Sequence, residues 1–279
     1  MKLKEIQVKY GILTCPICKN ILSGDEKTCR CENGHSFDLA KQGYINLFIS
    51  SKQSCHGDNK QMTEARRNFL SEGHYSPLCR ALCEKVCEYA NQDNVLIDCG
   101  CGECYYTDSI DNALKEKNKS VTFYGFDISR DAILAGARRN KALNLIVAGV
   151  YHMPFADSSA DMLFSVFSPF AEEEFLRVLK KGGLLFSVIP KENHLWSLKK
   201  AIYDTPYKNE VADYNLTGFS LIESREIKNN ITLSGESLQN LFMMTPYYYR
   251  TSEKDKKKIS ALPSLEVETE FEILIYKKL

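Results

Sequence analysis

Between Asn94 and Ile189 short apolar runs recur, each closed by turn residues: NVLID (Asn94–Asp98), VTFYGFD (Val121–Asp127), LNLIVA (Leu143–Ala148), DMLFSVF (Asp161–Phe167) and LLFSVI (Leu184–Ile189). Helical segments such as RDAILAGARRN and EEEFLRVLKK separate several of them. Strand and helix alternating in this way predict a parallel α/β sheet with helices on both faces. Upstream, residues from Thr63 to about Ala90 carry a helical pattern broken around Gly73 and Pro77. Downstream, FSLIESREIKNNITLS and LEVETEFEILIYKK alternate apolar with polar and predict an antiparallel edge pair, separated by a helix over Glu236 to Met243. The stretch up to about residue 45 has no apolar period long enough for a core, but it is rich in turns and cysteine. That texture suggests a small domain stapled by metal. The polar segment from Ser50 to Asn59 reads as a linker.

Composition narrows the picture. A chain of 279 residues can bury a full core, and one large domain plus a small one is expected. The opening MKLKEIQVKYGILT lacks the continuous apolar run of a signal peptide, and no run reaches the ~18 apolar residues of a membrane helix. A cytoplasmic address follows as an expectation, and there 11 cysteines are thiols or metal ligands rather than disulfides. Lys+Arg and Asp+Glu both number 36, so net charge gives no general attraction to nucleic acid. Local basic patches remain at Arg66-Arg67, Arg138-Arg139, Lys199-Lys200 and Lys256 to Lys258; such groups are more often solvated faces than phosphate contacts.

The strongest chemical signal is CPICKNILSGDEKTCRCENGH. Cys15 and Cys18 form one knuckle, and Cys31 and His35 a second after twelve intervening residues. Two such pairs supply four soft or borderline donors for a tetrahedral structural zinc, with no open position for catalysis. Cys29 competes for the third position; Cys31 is preferred because CENGH makes a compact turn matching CPIC. A second cysteine-rich stretch, IDCGCGECYY, begins where an apolar strand ends. Gly100 and Gly102 sit where a strand-to-helix loop turns sharply and approaches a nucleotide, although a third glycine commonly stands where Cys104 does. The metal alternative needs Cys99, Cys101 and Cys104 to converge with a fourth donor, and no histidine lies nearby. Asp127 ends the second strand at the spacing used to hold a ribose diol, and Ser129 and Asp131 are placed to cap the helix that follows. HMPFADSSAD reads as the loop past an adenine ring, with Pro154 and Phe155 equally suited to turn and core, and RVLKKGG puts a two-glycine turn before the fifth strand. Cys79, Cys83 and Cys87 recur every four residues as a buried helical stripe. Tyr247 to Tyr249, with Phe242, Met243 and Met244, offer a stacking surface for a base, although core or dimer surface is the commoner use.

Zinc knuckles, GHSFDLAKQGYINL, ARRNFLSEGHYSPL, the glycine loop, FDIS, PFADSSAD and VLKKGG occur in one order, and from about Cys15 to at least Pro246 the chain resembles the bacterial 23S ribosomal RNA (guanine-N1)-methyltransferases. The resemblance implies a class I, Rossmann-like S-adenosylmethionine-dependent methyltransferase sheet behind a small N-terminal zinc domain. It divides the chain into a zinc-binding domain (1–48), linker and leading helices (49–90) and a methyltransferase domain (91–279). It gives zinc to Cys15, Cys18, Cys31 and His35, and the cofactor to Tyr75, Gly102, Glu103 and His194; Asp98, Gly100 and Asp127 complete the expected cofactor contacts. It implies 23S ribosomal RNA as partner, with neither DNA nor a membrane, and a homodimer. Phe167, Ser168 and Pro169 end the fourth strand, where a base would lie beside the methyl group. Glu172 to Glu174 are base candidates by proximity alone, and an acidic helix start explains them equally. Two other readings stand beside this one: a methyltransferase acting on a small molecule such as a quinone precursor, and a non-catalytic zinc RNA-binding module whose loop Cys104 has impaired.

Overall fold

The computed structural model describes residues 10–25, 27–49, 57–211 and 214–279. Most of the expected linker, Ser50 to His56, lies outside them. The chain begins with a small antiparallel sheet of β1 (Ser23–Gly24), β2 (Thr28–Arg30) and β3 (Ser36–Asp38). The next strand, β4 (Tyr44–Asn46), joins the large sheet instead. There follow α1 (Lys60–Ser71), α2 (Ser76–Tyr89), β5 (Val95–Cys99), α3 (Tyr105–Glu116), β6 (Thr122–Asp127), α4 (Arg130–Arg139), β7 (Asn144–Val147), β8 (Ala160–Val166), α5 (Glu172–Val178), β9 (Leu179–Pro190) and α6 (Trp196–Ile202). β10 (Phe219–Leu233), α7 (Gly235–Met243), α8 (Glu253–Ser260) and β11 (Leu265–Lys278) complete the chain. Among the described residues, no helix is long and apolar enough to cross a membrane.

The large sheet has the order β10-β11-β9-β8-β5-β6-β7-β4. β4 through β9 run parallel, β11 pairs antiparallel with β9, and β10 pairs antiparallel with β11. From β5 the chain steps outward through β6 and β7, then returns to the other side of β5 for β8 and β9. This reversal opens a crevice at the carboxyl ends of β5 and β8, where sheets of this kind bind ligands.

Local chemistry sets the helices that frame the crevice. Asn59 caps α1 by accepting from the Met62 N–H, and Gly73, at φ +81°, ends the turn after it. Pro77 in the first turn of α2 needs no N–H partner there. α2 buries Leu78, Cys79, Leu82 and Val86, while Cys83 and Cys87 are half-buried against the same core, so the cysteine stripe is packing.

Each central strand buries both of its faces. Leu96, Phe164 and Phe186 point into one core with α1 to α4, and Ile97, Leu163 and Leu185 point into the other. On the second core the helical cover comes from α5, through Phe175 and Val178. The link from β7 to β8 holds only a short 3-10 turn, Val150–His152, and the N-terminal ribbon covers the exposed strands in place of a helix. Leu13, Leu22 and Cys29 pack there with Tyr124, Phe126, Ile146 and Phe155. Backbone bonds fix the dock, since Thr14 N–H donates to Pro154 O at 2.9 Å and Ala156 N–H donates to Ile12 O at 2.8 Å. The two glycines of VLKKGG also differ from expectation. Ala160 pairs with Leu179 and Met162 with Leu184, so Lys180 to Gly183 bulge out within β9 rather than turning before it.

Candidate functional site

The loop after β5 is built around left-handed backbone. Gly100, Gly102 and Cys104 have φ of +78°, +55° and +66°. Gly100 is required twice over, because a Cβ there would stand 2.5 Å from the Ser168 Cβ. Gly100 and Cys101 N–H groups both donate to Phe126 O at 2.9 Å, tying the loop to the end of β6. The conformation at Cys104 explains why glycine is the expected residue. Cysteine is accommodated because its Sγ rests against Gly136 of α4, where a Cβ would be only 2.5 Å away. Cys101 and Cys104 bring their sulfurs to 3.7 Å, but neither they nor Cys99 belong to any metal-competent group among the described residues.

A cavity of about 2350 Å³ opens at the crevice, and it is bordered by Tyr75, Asp98, Gly100, Gly102, Glu103, Asp127 and His194 together. Asp127 accepts from Gly102 N–H at 3.0 Å and from Ser129 N–H at 2.8 Å, one bond to each carboxylate oxygen. Ser129 also caps α4 through Ala132 N–H, so cavity-lining and capping residues share one turn. Asp98 is buried and accepts from Thr107 Oγ1 at 2.6 Å; its Oδ1 has no partner among the described residues. Burial pushes its pKa from 3.8 up to about 7, and the nearby Asp127 charge adds to the rise. Glu103 receives Arg139 at 2.5 Å on Oε2, while Oε1 is buried without a partner among the described residues. Burial raises its pKa as well.

His194 accepts at Nδ1 from the Glu270 N–H at 3.3 Å, which leaves Nε2 as the donor. Burial and the charge of Lys199 lower its pKa to about 3, so the ring is neutral at physiological pH. Its ring packs on Phe271, and the Tyr75 ring meets both of them edge-on. At the far end Gly149, Val150 and Tyr151 border the cavity beyond β7, whereas Pro154 and Phe155 are buried as core.

The cavity fits S-adenosylmethionine. Two buried carboxylates each keep an unpartnered oxygen, a complement to an ammonium group, and Asp127 keeps further lone pairs for a diol. Beyond them Phe167, Ser168, Pro169 and Phe170 form the wall at the end of β8. Phe167, a residue 44% exposed, has a left-handed φ of +56°, an unusual conformation for a bulky residue. Glu172 and Glu174 are occupied elsewhere, by Thr217 N–H and by Arg177 with Met153 N–H, and no residue of the trio borders the cavity. Arg66 and Tyr106 do border it; sequence spacing offered no sign of this, because each arrives from a different helix.

In the ribbon, Cys15, Cys18, Cys31 and His35 place one ligating atom each within 4.8 Å of all the others. His35 Nδ1 lies 3.5 Å from Cys15 Sγ and 3.3 Å from Cys31 Sγ. Three thiols and an imidazole at these separations fit a closed tetrahedral zinc site. Cys29 lies outside the group and is buried in the second core, which resolves its competition with Cys31. The first knuckle is not remote from the crevice, because Pro16 and Lys19 border the same cavity.

A family profile described as "RlmA, N-terminal" matches residues 13–54, and one described as "Methyltransferase domain" matches residues 97–187. A putative 23S rRNA (guanine-N(1)-)-methyltransferase of Bacillus subtilis is 29% identical over 97% of this chain and 99% of its own. The 23S rRNA (guanine(748)-N(1))-methyltransferase of Streptomyces fradiae is 27% identical over 92% of each chain. A putative 23S rRNA (guanine-N(1)-)-methyltransferase of Micromonospora griseorubida is 28% identical over 86% of this chain and 87% of its own. Ribbon, glycine loop and near full-length similarity coincide in one order, so the chain is similar along most of its length to these 23S rRNA (guanine-N1)-methyltransferases.

Proposed function

We propose that the chain transfers a methyl group from S-adenosylmethionine to N1 of a guanine in a 23S ribosomal RNA hairpin. The observation that carries this reading is the ribbon's first knuckle bordering the same cavity as the glycine loop, in a chain whose relatives bear that activity in their names. The bound cofactor supplies an electrophilic sulfonium methyl, so the protein's task is to bring a nitrogen lone pair in line behind it. Guanine N1 is hidden in a base pair, so the target must be unpaired or flipped, and the exposed rings of Phe167 and Phe170 offer faces for it at the end of β8. N1 also gives up its proton, to solvent, as the new bond to carbon forms, and charge spreading to O6 calls for a donor; the His194 Nε2–H and the Ser168 hydroxyl are neutral donors that border the cavity.

A cavity of about 2350 Å³ leaves room for a base beside the cofactor. The packing of Cys104 against Gly136 supports a formed cofactor loop and weighs against the non-catalytic alternative. Assembly as a homodimer belongs to the same reading by family likeness, and sedimentation of the zinc-loaded protein tests it. Incubation with tritium-methyl cofactor and deproteinised ribosomal RNA should place label in the large-subunit RNA. Label appearing only in a small-molecule fraction would favour the alternative.

A further inference from the structure

Arg66 and Tyr106 have no place in the contacts inferred from sequence, yet both border the cavity beside Tyr75, Glu103 and Asp127. Arg66 projects from α1. One edge of its guanidinium is held by Asp58, and a long contact of 3.4 Å reaches Met244 O. A guanidinium carries five N–H donors, so most are left over from these two contacts. Tyr106 comes from the first turn of α3, and its hydroxyl is buried with no hydrogen-bond partner among the described residues. A buried hydroxyl without a partner is costly, and the cost is removed when a ligand acceptor arrives.

Donors and acceptors are sorted by type around this end of the cavity. Asp98 and Glu103 contribute unpartnered carboxylate oxygens, whereas Arg66 and Tyr106 contribute unused N–H and O–H groups. A zwitterionic α-amino acid presents the complement, an ammonium on one arm and a carboxylate on the other. We propose that Arg66 and Tyr106 bind the carboxylate of the cofactor's methionyl moiety, with Asp58 orienting the guanidinium from behind. This rests on the assignment of S-adenosylmethionine to the cavity.

Isothermal titration with two ligands separates the possibilities. S-adenosylhomocysteine carries the amino-acid arm, and 5′-methylthioadenosine lacks it. Arg66→Gln should weaken S-adenosylhomocysteine by about 10–100-fold, the scale of a lost charge-assisted hydrogen bond, and leave 5′-methylthioadenosine within about twofold. Tyr106→Phe should also weaken S-adenosylhomocysteine selectively while leaving the Tm of the ligand-free protein equal or higher, because it removes an unpartnered buried hydroxyl. Asp58→Asn should leave S-adenosylhomocysteine affinity within about threefold. Equal losses for both ligands in Arg66→Gln would overturn the assignment. If the unaltered protein bound neither ligand, the cofactor reading itself would fall.

Discussion

Cys104 holds a left-handed backbone at a position where only glycine is free of strain, roughly 1–2 kcal/mol for an L side chain. Its buried sulfur fills the space that Gly136 leaves open, so the two positions exchange volume. Gly136→Ala should therefore destabilise the zinc-loaded protein by about 1–3 kcal/mol through overpacking. In a Cys104→Gly background the same change should cost at least about 1 kcal/mol less. Urea unfolding of the four proteins measures this coupling, and strict additivity would refute the exchange. Asp98 gives a second test at this scale. Its folded pKa of about 7 lies above the 3.8 of the free group, so between these values the folded state holds the extra proton. Its contribution to stability is present below about pH 4 and is lost as pH rises through about 7. Binding an ammonium group favours the deprotonated form, so cofactor affinity should rise from pH 6 to pH 8 with release of a proton. Titrations in buffers of differing ionisation enthalpy detect that proton, and affinity independent of pH would exclude Asp98 from the ammonium contact. Residues like these mark the limit of the sequence. The spacing of Cys15, Cys18, Cys31 and His35 or of Gly100 and Gly102 is local and legible, but Arg66 and Tyr106 meet only through tertiary packing.

The ribbon behaves as a structural layer as much as a module. Leu13 and Leu22 lie in the sheet's second core, β4 extends the parallel sheet beside β7, and Leu13 bridges Phe155. The strands and the glycine loop were readable from apolar runs and turn residues. That the ribbon stands in for a helix was not, because short apolar strands look alike whatever covers them. The β9 bulge escaped for a related reason, since KKGG reads as a turn unless the pairing partner is known. Chelating the zinc should thus loosen more than the knuckles. Hydrogen exchange should show lost protection through Leu13 to Cys31 and in β4 and Pro154 to Ala156, with β5, β6 and β8 retained. Protection unchanged at Pro154 to Ala156 would mean that the dock does not depend on the metal.

At the scale of the whole molecule, charge is balanced at 36 against 36, and the basic doublets are half spent inside. Arg66 pairs with Asp58, Arg139 with Glu103, and Lys199 is buried between the rings of Tyr207 and Tyr247 at 4.5 and 5.0 Å. Affinity for RNA should then rest on stacking and shape more than on phosphates, giving a shallow salt dependence equivalent to about three phosphate contacts or fewer. A steep slope would point to a basic surface that the charge balance does not suggest. Nucleoside mass spectrometry of a 23S ribosomal RNA hairpin, incubated with zinc-loaded protein and S-adenosylmethionine, bears on the proposed chemistry without intermediaries. N1-methylguanosine should accumulate in step with S-adenosylhomocysteine. RNA that gains no methylated nucleoside, or gains the methyl group on any other atom, would contradict it.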